Sequence, residues 1–98
     1  MKIMILNGPN LARLDLRDKD IYGNLSYEDL RKFVVDKATA LGLEVDIRQS
    51  DSESEIVSWI HEAADKKMPM IINPAAFTHY SYAIRDAVSM LKAPAIEV

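Results

Sequence analysis

The stretch Ile3-Met4-Ile5-Leu6-Asn7-Gly8-Pro9-Asn10 decides the fold. An unbroken apolar run halted by a Gly-Pro pair between asparagines reads as a strand buried on both faces that enters a loop. Strands of that kind belong to parallel sheets covered by helices. The same run is too short for a membrane span, and Gly8-Pro9 interrupts it too soon for a signal peptide. Further along, Pro69-Met70-Ile71-Ile72 repeats the pattern and ends at Asn73-Pro74. Leu43-Glu44-Val45-Asp46-Ile47-Arg48 alternates apolar and polar residues, as a strand near a sheet edge does, and Pro94 to Val98 opens a fourth strand.

Helices fill the intervals. Ser26 and Asp29 form a capping box ahead of Tyr27, Leu30, Phe33/Val34, Ala38 and Leu41, which recur at helical spacing until Gly42. Ser52 and Glu55 repeat the box ahead of Ile56, Ile60 and Ala63/Ala64. Thr78 caps a third helix with the stripe Tyr80, Ala83/Ile84, Ala87 and Leu91. Residues 11–24 carry crowded charges without a period and read as a long loop, the place for a lid. The order βαβαβαβ with short connections requires a parallel sheet with right-handed crossovers. The expectation is one α/β domain over residues 1–98, a doubly wound, three-layer αβα sheet. Its last element is an apolar strand with no helix after it, so a further βα unit or another chain is expected against that edge.

Composition narrows the function. The chain has 98 residues, 12 Lys+Arg against 15 Asp+Glu, and a formal net charge of -3, without a basic stripe for phosphates. Nucleic acid is therefore not an expected partner, nor is a membrane. Cysteine is absent, which excludes disulfides, zinc ribbons, iron–sulfur clusters and thiol catalysis, and His61 and His79 alone do not make a metal site. No metal and no cofactor is expected. The compartment expected for such a chain is the cytoplasm. Walker, Gly-x-Gly-x-x-Gly and Gly-x-Ser-x-Gly fingerprints are missing.

Open α/β sheets bind ligands beyond the carboxyl ends of their strands, at the point where crossovers diverge. In the flavodoxin-like order 2-1-3-4-5 that point lies between strands one and three, which here end in Asn7-Gly8-Pro9-Asn10 and Asn73-Pro74-Ala75-Ala76. Two such turns supply uncharged amides for a water or a sugar-like hydroxyl, or serve only as turn formers and Asx caps. Arg17 and Tyr22 lie in the loop after strand one and can close over the same crevice as a lid, although spacing alone favours a Tyr22 packed against the body and a solvated Arg17. For Tyr22 to act as a base near neutrality, its pKa of about 10 must fall by roughly 3 units, about 4 kcal/mol, for which a nearby arginine is the means. His79 opens the third helix at the crevice mouth, Asp86 lies seven residues on, and Glu97 is an acid within an apolar run that would need a partner if buried.

These residues resemble one family across the whole chain. Ile5-Leu6-Asn7-Gly8-Pro9-Asn10-Leu11, Arg17, Ile21-Tyr22-Gly23, Gln49-Ser50, Trp59-Ile60-His61-Glu62-Ala63, Ile72-Asn73-Pro74-Ala75-Ala76-Phe77-Thr78-His79, Arg85-Asp86-Ala87 and Glu97-Val98 are similar, in order, to type II 3-dehydroquinate dehydratases. The resemblance implies a flavodoxin-like fold and cofactor-free removal of water from 3-dehydroquinate, by anti elimination through an enolate, to give 3-dehydroshikimate in the shikimate pathway. It implies that Tyr22 is the base at C2, that Arg17 keeps its phenolate charged, and that Asn10 helps hold the water on the enolate oxygen. Asn73 and His79 would bind substrate, Asp86 would come from a neighbouring subunit, and Glu97 would stand beside the catalytic histidine. Homo-oligomers, trimers assembled into a dodecamer, are implied too.

Departures from the family pattern are equally specific. The family's general-acid histidine follows directly on the Glu-Val pair at which these residues end, and Asp15, Lys19 and Ala12 stand where Gly, Pro and Asn are usual. Asp51-Ser52-Glu53-Ser54 replaces Asn-His-Glu-Gly. The alternative expectation is a non-catalytic or shortened relative that binds a small molecule or acts in assembly.

Overall fold

The computed structural model describes residues 1–16, 26–79 and 81–98. Strand β1, Lys2–Asn7, lies at the centre of a parallel sheet. It pairs on one side with β2, Glu44–Gln49, and on the other with β3, Met70–Asn73, which in turn pairs with β4, Ala95–Glu97. The order is β2-β1-β3-β4. The alternating strand lies at an edge, as its pattern requires, and the two unbroken apolar runs lie inside.

Pairing in parallel register places residues opposite each other on the same face of the sheet. Met4, Leu6, Met70 and Ile72 form one face, and they join Ile56, Ile60, Ala63, Ile84 and Ala87 in a single buried core. Those last residues belong to α2, Glu53–Asp65, and α3, Tyr82–Ser89. On the opposite face Ile5, Ile47 and Ile71 share a register row and meet Leu30 and Val34 of α1, Tyr27–Ala40. Among the described residues, helices therefore cover both faces, two on one and one on the other, as expected for a doubly wound α/β sheet.

Local chemistry explains the helix ends. The Ser26–Asp29 box forms in full, with the Ser26 hydroxyl accepting the Asp29 N–H at 3.0 Å and the Asp29 carboxylate accepting the Ser26 N–H at 3.2 Å. Gly42 follows the helix with φ +74°, which a glycine adopts without strain. Ser52 caps α2 through the Glu55 N–H at 3.3 Å.

Three expectations need correction. Residues Leu11–Leu16 form a 3-10 segment rather than plain loop. The stripe of α1 is narrower than its spacing suggests, because Phe33 and Leu41 are exposed while Tyr27, Leu30, Val34 and Ala38 turn inward. The third helix is capped by Ser81, whose hydroxyl accepts the Ile84 N–H at 3.0 Å, and Thr78 lies in a preceding 3-10 turn, Ala75–His79. Ala75 enters that turn with φ +52° while its N–H donates to the Asn73 side chain at 3.1 Å, so an Asx turn delays the helix.

Candidate active site

The ends of β1 and β3 are pressed together. The Gly8 N–H donates to the Asn73 carbonyl at 2.8 Å, and a Cβ on Gly8 would meet the Pro74 carbonyl carbon at 2.7 Å and the Asn73 oxygen at 3.1 Å. Only glycine permits that approach. The two asparagine-containing turns singled out in the sequence are thus joined at the switch point, with Asn10 and Asn73 both at the carboxyl edge of the sheet.

Neighbouring groups complete this rim. The Asn7 carbonyl accepts the Ser50 N–H at 3.0 Å, and the Gln49 side-chain amide donates to the Gly8 carbonyl at 3.1 Å. Asp51 accepts both from Gln49 at 3.1 Å and from the Asn10 N–H at 2.8 Å. Asn10 has φ +70°, a left-handed conformation that asparagine tolerates better than most residues. Asn7 is buried and reaches the Tyr27 hydroxyl through a long, 3.5 Å contact, tying β1 to the start of α1.

Two hollows flank the rim. One, of about 270 Å³, lies between β3, β4 and α3, where Glu97, Arg85, Thr78 and Ser81 face Ile72 and Phe77. The other, of about 240 Å³, lies under α1 and is bordered by Asn7 and Asn73 with Ile5, Ile71 and Val98. Glu97 pairs with Ile72 in register, which places it on the face of α2 and α3, opposite Asn73. The expected acid is therefore exposed on a cleft wall and is not a buried group in search of a partner.

His79 ends the 3-10 turn that follows β3, close in sequence to Asn73, and does not open a helix as expected. Asp86 stands on the exposed side of α3, outside the residues that line either hollow. Arg17 and Tyr22, the expected lid cation and base, lie outside the described residues. Among the described residues no cluster of three or more His, Asp or Glu is placed to hold a metal, and no helix is long and apolar enough to cross a membrane.

An ion-pair cluster joins the edge strand to α2. Arg48 on β2 donates to Asp46 at 2.8 Å and to Glu62 on α2 at 2.7 Å, with its guanidinium 5.5 Å from the centre of the Trp59 ring. Hydrogen bonds from Arg48, and then from Lys66, hold the Glu62 carboxyl down at about 2. The Asp46 carboxyl is lowered by the same guanidinium, whose own pKa is raised by the two acids. This cluster locks the edge strand to α2.

Comparison with known proteins decides the family. The family model described as dehydroquinase class II matches residues 1–98. The chain belongs to the class II dehydroquinases. A 3-dehydroquinate dehydratase of Salinispora tropica is 49% identical over 98 residues, which are all of this chain and 68% of that protein. One from Mycobacteroides abscessus is 50% identical over the same span, again 68% of its length. The crystal structure of type II dehydroquinase from Propionibacterium acnes superposes with a TM-score of 0.93 at 49% identity, covering 98% of this chain and 66% of that one. That of Butyrivibrio crossotus gives 0.92 at 44% identity, covering 99% and 68%. The chain thus has the type II dehydroquinase fold and spans about two thirds of the length of these relatives.

Gln49 and Asp51 are the rim residues that sequence reasoning left without a role. Gln49-Ser50 matches the family pattern and Asp51 departs from it, but a bond between positions 41 residues apart leaves no mark on spacing.

Proposed function

We propose that this chain removes water from 3-dehydroquinate to give 3-dehydroshikimate, without metal or cofactor. The observation that supports this most is the joining of the Asn10 and Asn73 turns at the switch point through the Gly8–Asn73 hydrogen bond of 2.8 Å. Uncharged amides at that point suit a neutral carbonyl and hydroxyls better than a phosphate, and the named relatives are dehydratases of this substrate.

In this reading the Tyr22 phenolate takes the proton from C2, with Arg17 holding the phenol ionised near neutrality. The electron pair moves onto the carbonyl oxygen as an enolate. Asn10 helps hold the water that stabilises that oxygen, a charge that exists only after proton removal, so the interaction lowers the barrier rather than the ground state. The enolate then collapses: the carbonyl re-forms, a conjugated double bond forms as the C–O bond to the hydroxyl breaks, the departing hydroxyl takes a proton from solvent to leave as water, and Tyr22 returns its own proton to solvent. Asn73 and His79 hold the substrate and orient its leaving-group side, Glu97 is the acid that the family keeps next to its catalytic histidine, and Asp86 reaches the site of an adjacent subunit. A homo-oligomer of trimers, up to a dodecamer, acting in the cytoplasm is part of the proposal, and it makes the exposed place of Asp86 on α3 useful.

The test is the appearance of the conjugated enone from 3-dehydroquinate, followed by ultraviolet absorbance, with sedimentation velocity on the same sample. Turnover is expected, and Tyr22→Phe is expected to lose about 10² to 10⁴ of it, the usual worth of a general base. Binding without turnover by the folded wild-type chain would overturn the enzymatic reading in favour of a binding or assembly module. Unchanged turnover in Tyr22→Phe would overturn the choice of base.

A further inference from the structure

Asn10 is held in place by residues that the reading above does not use. With φ +70°, its N–H donates to Asp51 Oδ1 at 2.8 Å, and its carbonyl accepts the Arg13 N–H at 3.0 Å. The same Asp51 oxygen accepts the Gln49 amide at 3.1 Å, and that amide also donates to the Gly8 carbonyl at 3.1 Å. Gln49, the last residue of β2, and Asp51, two residues beyond it, thus bracket the Gly8–Asn10 turn. A carboxylate that accepts a backbone N–H makes a charge-assisted bond, stronger than a neutral one, at a residue whose conformation is not its most favoured.

We infer that Asp51, braced by Gln49, is a positioning residue: it holds Asn10 in the backbone conformation from which Asn10 serves the developing enolate oxygen. This rests on the dehydratase reading. Asp51 also precedes the cap of α2, where a negative charge favours the helix N-terminus, so loss of stability alone does not distinguish positioning from capping.

The experiment is a kinetic cycle on the full chain with 3-dehydroquinate, comparing wild type, Asp51→Ala, Asn10→Ala and the double variant. Displacement of a positioned group by an ångström costs up to about 100-fold, so Asp51→Ala is expected to lower kcat by roughly tenfold or more with KM within about twofold. In the Asn10→Ala background the same change is expected to cost less than about twofold, because groups that act through one another are not additive. Asp51→Asn keeps an acceptor oxygen and is expected to recover most of the rate. Hydrogen exchange supplies a readout free of turnover: the Asn10 amide is expected to exchange about tenfold faster in Asp51→Ala, with the Leu6 amide unchanged.

Equal losses in the two backgrounds, a fall confined to KM, or an Asn10 amide unaffected by Asp51→Ala would each overturn the inference while the dehydratase reading stands. A folded wild-type chain that eliminates no water overturns that reading, and this inference with it.

Discussion

On one face of the sheet Met4, Leu6, Met70 and Ile72 lie under α2 and α3 with at most 3% of their surface exposed, whereas on the other Ile5, Ile47 and Ile71 are only half-buried beneath α1. The same strands supply both sets by simple alternation. Among the described residues, two helices lie over the first face and one over the second. Stability is therefore concentrated on the α2/α3 face, while the candidate site occupies the rim where the two faces meet. Asn73 belongs to one face and Glu97 to the other.

Paired truncations test this asymmetry most strongly. Leu6→Ala is expected to cost about 3–5 kcal/mol in urea denaturation, and Ile5→Ala, its neighbour on the half-covered face, about half as much. Equal losses would show that the α1 face is as closely packed in solution as the other. At the rim, Gly8→Ala is expected to destabilise by about 1–3 kcal/mol, because its Cβ must push the Pro74 backbone away. It should also weaken turnover, since it parts the two asparagine turns. A stability close to wild type would mean that the ends of β1 and β3 separate freely.

Smaller effects sharpen the comparison. Ser26→Ala, which removes the cap of α1, is expected to cost about 1 kcal/mol by thermal denaturation. If α1 covers its face as loosely as the exposures suggest, hydrogen exchange in α1 should rise more than in α2. The mildest perturbation is acid. The Glu62 carboxyl lies at about 2 in the folded chain against an ordinary 4.5, so the stability it contributes is complete above the ordinary value and is lost as pH falls toward 2. Glu62→Gln is expected to flatten the acid limb of the stability profile between these values. A profile unchanged by that substitution would remove the Arg48 cluster from the list of ties between β2 and α2.

Much of the fold was legible because periodicity reports burial. Alternation at residues 43–48 located an edge strand, and the runs ending at Asn7 and Asn73 located the two inner ones. Capping chemistry located the start of α1, where both halves of the box form. The start of α3 was not legible, since Thr78 and Ser81 are both good caps, and the choice falls to the Asx turn that Asn73 builds at Ala75. Of the candidate site, the asparagine turns were legible as strand endings at a switch point. For Glu97 the apolar run left burial open, and only the register with Ile72 shows which face of the sheet it occupies.

The sequence by itself determined the element order, the parallel sheet, the family and the identity of the asparagine turns, because these follow from local pattern and motif. Only the tertiary structure decided that Gly8 touches the Pro74 backbone, that Asp51 holds the Asn10 N–H, and that the two faces are unequally covered. The physical reason is distance along the chain. Propensity and periodicity act between residues a few positions apart, whereas contacts across 41 residues, as between Asn10 and Asp51, exist only once the sheet has set its register.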